Sequence, residues 1–189
     1  MAAAHRTGNT SLLFDHLKLF SQIVVTGPQR SGTTICAAMI AHDLGYQMID
    51  ETQGAAAAER GRRVNHLSTL ESLGALLTES RIVIQAPSVA AFCHQLPVPV
   101  AVVFMIRPVA EILRSQERIA WKGNNYELKL LNARTGHSCV LKYERWRWQK
   151  PLIQHAFEIE YQWLSAHPLW VDAARRTNFS KKQIMPDAS

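Results

Sequence analysis

The chain has 189 residues, of which 47% are hydrophobic and 19% are charged, and its formal net charge at pH 7 is +6. This length and composition suit one globular domain over residues 1–189 and exclude a disordered or fibrous chain. The excess of positive charge favours an anionic ligand, such as a nucleotide, a sulfated or phosphorylated small molecule, or nucleic acid.

The cysteines and the hydropathy pattern indicate the compartment. Cys36, Cys93 and Cys139 are an odd number at wide spacing, which favours buried thiols in a reducing compartment over a disulfide framework. The first ten residues lack the apolar core of a signal peptide, and no apolar run reaches the ~18 residues of a membrane span. We therefore expect a cytoplasmic protein without a membrane partner, with flexible ends at residues 1–10 and 180–189.

The first half of the chain predicts a short helix, a strand, a loop, a second helix and a second strand. A short helix over Ser11–Phe20 comes first, followed by the β-branched strand Ile23–Val25. Small apolar residues after the loop predict a helix that ends at Leu44-Gly45, because glycine favours the helix terminus. The strand Tyr46–Ile49 then leads to Asp50 and Glu51.

The second half continues the alternation of helix and strand. The predicted elements are a helix over 66–78, a strand over 82–84 that ends at Gln85, a strand within 98–106, a helix over 109–121, a strand over 139–143 and a closing helix over 151–167. Such alternation predicts an α/β fold, a single-domain three-layer sandwich with about five mostly parallel strands and helices on both faces. The carboxyl ends of such strands are where open α/β sheets bind their ligands.

The segment between the first strand and its helix has the spacing of a phosphate-binding loop. Gly27 and Gly32 match the glycines of G-x-x-x-x-G-K-[ST], and Thr33 stands where the lysine is usual. Arg30 is the candidate for the missing cation. Backbone N–H groups and the dipole of the next helix would hold phosphate or sulfate oxygens. The predicted anion-binding residues are Gly27, Arg30, Ser31, Gly32, Thr33 and Thr34; an ordinary glycine-rich turn is the alternative.

Arg107 and Ser115 form a second candidate anion site. They lie eight residues apart, just after the fourth strand and two turns into the next helix. A guanidinium and a hydroxyl can bind a second phosphate. Taken without the loop, the pair is better interpreted as a surface arginine and a helix serine; the loop is what favours an anion site.

Together these segments resemble the sulfotransferases that use 3′-phosphoadenosine 5′-phosphosulfate (PAPS). In that family a P-R/K-S-G-T-T loop binds the 5′-phosphosulfate, and a later arginine and serine bind the 3′-phosphate. The matching segments here are Gln29–Thr34 and Arg107–Ser115. The resemblance implies a P-loop fold, PAPS as cosubstrate without a metal, and sulfuryl transfer to a hydroxyl or phenol. Gln85 departs from the family, which commonly has lysine there.

The resemblance also suggests the catalytic base. In protein-tyrosine sulfotransferases a glutamate at this distance after the loop, in an E-E-T context, takes the proton of the acceptor. The sequence here is Asp50-Glu51-Thr52, which implies Glu51 as base, Asp50 as its reserve, and Arg30 as the cation that stabilises the departing oxygen. A helix cap or a salt bridge with the arginines at 60–63 is the structural alternative for Glu51.

Other function classes stay open. A P-loop small-molecule or nucleotide kinase fits the strand–loop–helix order but needs a loop lysine and a carboxylate at a later strand end, and both are missing here. A non-catalytic nucleotide-binding protein is a second alternative. Nucleic-acid binding through Arg145–Lys150 is disfavoured, since tryptophans at such spacing usually pack in a core. The acceptor and the oligomeric state are not determined by the sequence.

Overall fold

The computed structural model describes residues 14–50, 69–118 and 138–170 of the chain. Its five strands are β1 (Gln22–Thr26), β2 (Gln47–Asp50), β3 (Ile82–Gln85), β4 (Ala101–Ile106) and β5 (Ala156–Glu160). Its helices are α1 (Thr33–Leu44), α2 (Leu70–Leu76), α3 (Val109–Arg118) and α4 (residues 138–149). Short 3-10 helices cover Asp15–Leu19, Pro87–Ala91, Cys93–Gln95, Lys150–Leu152 and Tyr161–Ala166.

The strands form one parallel sheet in the order β2-β3-β1-β4-β5. The predicted α/β class with about five parallel strands is therefore confirmed. Because all five strands run the same way, their last residues meet at one edge, which we call the carboxyl edge. The residues that end the strands there are Thr26, Asp50, Gln85, Ile106 and Glu160.

Helix α1 is the central element of one face of the sheet. Nine of its residues are buried, among them Cys36, Met39 and Ile40, and the small alanines between them allow close approach to the strands. The helix ends as predicted at Gly45, whose φ of +63° closes the terminus while Tyr46 N donates to Ala41 O at 2.8 Å. The helix thereby fixes the loop before it against β1.

Helix α4 belongs to the opposite face of the sheet. Trp146 is buried and stacks on Phe104 of β4 at 4.4 Å between ring centroids, with an interplanar angle of 12°. Its indole Nε1 donates to Glu158 Oε1 on β5 at 2.7 Å. The stacked ring and the hydrogen bond together attach α4 to both strands at this side of the sheet.

Two predicted elements near the end of the chain were wrong. Residues 139–143 are helical, within α4, because Cys139, Trp146 and Gln149 recur at helical spacing and are buried together. The predicted closing helix over 151–167 instead contains β5 and a 3-10 helix. The alternation of Ala156–Glu160 (AFEIE) marks a strand at the edge of the sheet, half covered and half exposed.

Several predictions lie outside the described residues. They concern Glu51, the arginines at 60–63 and the two ends of the chain. No helix in the described ranges is long and apolar enough to cross a membrane.

Candidate functional site

The loop between β1 and α1 has the backbone of a tight anion-binding turn. Gly27, Arg30 and Gly32 have φ values of +140°, +69° and +101°. A side chain on Gly27 would come within 3.1 Å of Met105 O on β4. Both glycines are thus required by the conformation, which alternates left- and right-handed residues as anion-binding turns do.

The start of α1 presents unpaired N–H groups at this loop. The first helical hydrogen bond of α1 is donated by the N–H of Cys36 to Gly32 O, at 3.0 Å. The N–H groups of Gly32, Thr33 and Thr34 have no acceptor among the described residues, as expected at a helix start without a side-chain cap. Three donors at the positive end of a twelve-residue helix suit a phosphate or sulfate group.

Ser31 differs from its neighbours in the loop. Its N–H and its hydroxyl both donate to Pro28 O, at 3.1 Å and 2.6 Å, and its side chain is fully buried. Both donors of Ser31 therefore hold the shape of the loop.

Thr33, at the place of the usual lysine, is bonded to the end of β3. Gln85 Nε2 donates to Thr33 Oγ1 at 3.1 Å, and both side chains are buried. Thr34, one residue later, is partly buried, and its hydroxyl has no hydrogen-bond partner in the part of the chain that the structure describes. The loop thus offers hydroxyl groups where a P-loop kinase would offer an ammonium group.

Asp50 lies beside Gln85 at the carboxyl edge. It is the last residue of β2, is 3% exposed, and is paired in register with Gln85. Paired residues of neighbouring strands project from the same face of a sheet, so Asp50 and Gln85 both project toward the face that carries α1. The carboxylate is therefore on the side of the loop formed by β2 and β3.

The structure brings the predicted Arg30, Arg107 and Ser115 together on the other side of the loop. Arg107 Nη1 donates to Arg30 O at 3.0 Å, and Arg30 Nη2 donates to Ser115 Oγ at 3.5 Å. Arg107 and Ser115, which lie 77 and 85 positions after Arg30 in the chain, thereby contact the loop. Two guanidinium groups and a buried hydroxyl form one cationic group beside the strand ends of β1 and β4.

Arg107 is held in place by its surroundings. It is 7% exposed; its Nε donates to Glu111 Oε2 at 3.2 Å, and its guanidinium lies 3.7 Å from the centre of the Tyr161 ring. The same ring fills the space beside Gly32, where an added Cβ would lie 2.5 Å from Tyr161 Cδ2. Tyr161 thus connects the end of β5, the loop and the arginine.

Tyr143 of α4 fixes the backbone of the same arginine. Its hydroxyl donates to Arg107 O at 2.6 Å and accepts from Arg107 N at 3.0 Å. Burial raises the pKa of the Tyr143 hydroxyl, partly opposed by its hydrogen bond with Arg107. The hydroxyl therefore keeps the proton that it donates throughout the neutral pH range.

A cavity of about 560 Å³ opens beside this cationic group. It lies between the carboxyl ends of β4 and β5 and the helices α3 and α4, and its lining includes Arg107, Glu111, Tyr143, Glu160 and Tyr161. Its volume is within the usual range for a small-molecule site. The arginine is shared between this cavity and the loop.

Sequence reasoning missed Tyr161, because residues 151–167 were read as one helix. The alternation of AFEIE was the available signal: it places Tyr161 directly after an edge strand, and so at the carboxyl edge. Gln85 was noticed only as a departure from a family pattern. No local signal in the sequence predicts its bond with Thr33, which joins residues 52 positions apart.

Comparisons with known proteins identify the fold. No protein-family model matches the chain, and no curated protein matches it. Among solved structures, a shikimate kinase from Bacteroides thetaiotaomicron matches with a TM-score of 0.50 and 16% identity, over 74% of this chain and 86% of that one. A shikimate kinase from Acinetobacter baumannii, in complex with shikimate, has a TM-score of 0.48 and 17% identity, over 77% and 87%. A gluconokinase from Sinorhizobium meliloti has a TM-score of 0.44 and 14% identity, over 75% and 82%. At such identities the likeness concerns the fold alone: the chain shares its α/β fold with the shikimate kinase from Bacteroides thetaiotaomicron.

Proposed function

We propose that this protein is a nucleotide-dependent transferase that moves a sulfuryl group from PAPS to a hydroxyl or phenol. The observation that carries the proposal is the meeting of Arg30, Arg107 and Ser115 beside a loop that has threonine in place of lysine. The donors of the loop suit one anionic group, and the cationic group beside it suits a second one. A nucleotide with a 3′-phosphate as well as a 5′-phosphosulfate carries both.

The residues present fit such a cosubstrate. The unpaired N–H groups at the start of α1 would hold oxygens of the 5′ group, and Arg107 with Ser115 would hold the 3′-phosphate. Bound PAPS supplies an activated sulfuryl group, for which fixed positive charge and orientation are the main requirements. Arg30 would stabilise negative charge on the departing 5′-phosphate oxygen.

A carboxylate at the end of β2 completes the proposed chemistry. Glu51 is the first candidate to accept the proton of the acceptor hydroxyl and lies outside the described residues; Asp50, its reserve, is buried at the carboxyl edge. With the base on this side of the loop, the acceptor would approach from the β2–β3 side, opposite to Arg107 and the cavity.

Phosphoryl transfer is the second candidate. It is favoured by the hydroxyl of Thr34, which stands at the position of the magnesium-binding Ser/Thr of a phosphate-binding loop, and by the buried carboxylate of Asp50. In this reading a small-molecule kinase would use Arg30 for the charge that lysine usually supplies. The fold is compatible with both reactions and does not choose between them.

Calorimetric titration tests the two candidates directly. Adenosine 3′,5′-bisphosphate, AMP, and ATP with and without magnesium would be titrated into the wild-type protein, Arg107→Ala and Arg114→Ala. Arg114 is the matched control, because it is an exposed arginine on the same helix whose Nε donates to Ala110 O within that helix. Metal-independent preference for the bisphosphate over AMP, lost in Arg107→Ala and kept in Arg114→Ala, would support sulfuryl transfer.

The other outcomes assign the protein elsewhere. Preference for ATP in the presence of magnesium would move the assignment to a kinase. Binding of none of these nucleotides would indicate a protein that keeps the loop without using it for transfer.

A further inference from the structure

The side chain of Gln85 is buried, and the described residues use only a small part of its hydrogen-bonding capacity. It is 3% exposed, and in the described part of the chain Thr33 Oγ1 is its one hydrogen-bond partner. A glutamine amide has two N–H donors and an oxygen that can accept two bonds. If the amide were rotated so that its oxygen and nitrogen exchanged places, Gln85 would still make one hydrogen bond to Thr33, because either atom can pair with a hydroxyl. Buried amides are normally paired, so this one needs an explanation.

Gln149 is a second buried glutamine of this protein, and both ends of its amide are hydrogen-bonded within the fold. It is 1% exposed, and its Nε2 donates to Ala90 O and Arg145 O, at 3.0 Å and 3.4 Å. Its Oε1 accepts from His94 N at 3.2 Å and contacts His94 Nδ1 at 2.6 Å and Cys93 Sγ at 3.4 Å. Both ends of that amide are used within the fold, whereas one end of the Gln85 amide is not.

Gln85 lies at the carboxyl edge of the sheet, beside the loop, so the unused end of its amide belongs to the proposed site. It ends β3 at the carboxyl edge, is paired in register with Asp50, and is bonded to the first residue of α1, next to the anion-binding loop. This is the β2–β3 side of the loop, away from Arg107 and the cavity between β4 and β5. The unused end of the amide therefore lies where an acceptor would approach a group held by the loop.

We propose that Gln85 binds the acceptor, and that the acceptor is a neutral compound with neighbouring hydroxyls, such as a sugar or polyol. The amide end that Thr33 does not use would bond one hydroxyl, and the Asp50 carboxylate would accept from the next. This inference rests on the proposed function only in taking a hydroxyl compound as the acceptor.

The chemistry of the two side chains selects this class of compound. A hydroxyl both donates and accepts, as an amide does, whereas a carboxylate only accepts. Strands lie about 4.8 Å apart, so side chains paired across them can reach hydroxyls on adjacent carbons. Neither the neutral amide nor the carboxylate is itself a cation that would select an anionic acceptor, and a phenol has only one hydroxyl for two partners.

Thermal unfolding of two matched variants separates a binding residue from a structural one. Gln85→Met and Gln149→Met each replace a buried amide by an apolar chain of similar length. We expect the midpoint temperature of Gln85→Met to stay within about 2 °C of wild type or to rise, and that of Gln149→Met to fall by more than about 4 °C. Equal losses in the two variants would overturn the proposal, because Gln85 would then be needed for the fold.

Titration of acceptors tests the ligand class. D-glucose, glycerol and myo-inositol, with gluconate as the anionic polyol and 4-methylphenol as the phenol, would be titrated into wild type and Gln85→Met, each with and without bound adenosine 3′,5′-bisphosphate. We expect at least one neutral polyol to bind, with an affinity at least tenfold weaker in Gln85→Met, while the bisphosphate affinity changes less than twofold. Binding of no neutral polyol, preference for gluconate or the phenol, or equal polyol affinity in the variant would overturn the proposal.

The two proposals fail in different ways. If the bisphosphate does not bind to wild type, the proposed cosubstrate is wrong, while the nucleotide-free titrations and the unfolding comparison still decide the role of Gln85. If the bisphosphate binds and the polyols do not, the cosubstrate stands and the acceptor class is overturned.

Discussion

The two sides of the loop between β1 and α1 are built differently. On the β4–β5 side, Arg107 is bonded through its backbone to Tyr143 and through its side chain to Arg30 and Glu111, and it stacks on Tyr161. Each of these contacts joins a different part of the chain to the same residue. Such interlocking contacts fix a cation in one position before any ligand arrives, which is the arrangement expected of a site that holds an anion firmly.

The β2–β3 side contains a buried amide that the described residues bond only in part. Thr33 and Gln85 share one hydrogen bond, and the rest of the buried amide is unused by the described residues. Buried polar groups left without partners cost stability and are concentrated where a protein binds something. The comparison separates the side with the firmly held Arg107, which we propose for the nucleotide, from the side with the partly bonded Gln85, which we propose for the acceptor. Substitutions on the first side should lower stability as well as nucleotide affinity, whereas those on the second side should mainly lower ligand affinity.

Gly32→Ala should have the largest effect on stability. The new methyl group would meet the Tyr161 ring at 2.5 Å, at a residue whose φ is +101°. We expect the free energy of unfolding, measured in urea, to fall by about 2–5 kcal/mol. Gly74→Ala is the matched control: no described atom lies within 4 Å of its added Cβ in helix α2, so it should be neutral or stabilise the protein by up to about 1 kcal/mol. Similar losses for both variants would contradict the role given to Tyr161 as a close neighbour of the loop.

Arg107→Ala should come next. It removes the hydrogen bonds to Arg30 O and Glu111 and leaves the Tyr161 ring without its cation. We expect a loss of about 2–3 kcal/mol in the free energy of unfolding, against less than about 0.5 kcal/mol for the exposed Arg114→Ala. A loss in Arg107→Ala no larger than in Arg114→Ala would mean that the rigid side does not depend on this residue.

Tyr143→Phe should cost about 1–2 kcal/mol, because the hydroxyl serves both the N–H and the carbonyl of Arg107. The difference from wild type should also depend on pH. Burial raises the pKa of this hydroxyl, so its stabilisation is fully present below the ordinary tyrosine pKa of about 10 and is lost as the pH rises through the higher folded value. Urea unfolding of both proteins between pH 7 and 11 would measure this. A constant difference across that range would show that the buried hydroxyl does not titrate as inferred.

Thr34→Val should have the smallest effect on stability and a clear one on binding. The Thr34 hydroxyl has no partner among the described residues, so we expect the free energy of unfolding to change by less than about 0.5 kcal/mol. Calorimetry should show weaker binding of whichever nucleotide the wild-type protein prefers. Thr33→Val is the contrasting variant, since it removes the partner of Gln85. Unchanged nucleotide affinity in Thr34→Val would show that this hydroxyl does not contact the nucleotide.

Most of the fold and part of the site could be predicted from local patterns. The apolar runs of β1, β3 and β4 are nearly continuous because these strands are covered on both faces, and the glycine spacing of the loop reflects backbone torsion angles that few other residues adopt. The prediction failed in the last third of the described chain. There the edge strand β5 is short and alternating, and the first turn of helix α4 contains Cys139-Val140-Leu141, whose β-branched and apolar residues also suit a strand.

The α/β class, the loop and the positions at which charged and polar residues follow strands can all be predicted from the amino-acid sequence, because each depends on residues close together in the chain. The order of the strands in the sheet cannot, and it is this order that brings Arg107 to Arg30, and Gln85 to Thr33 and beside Asp50. These pairs are separated by 35 to 77 positions in the chain. Their meeting depends on strand order and register, which packing of the whole sheet selects and no local pattern encodes.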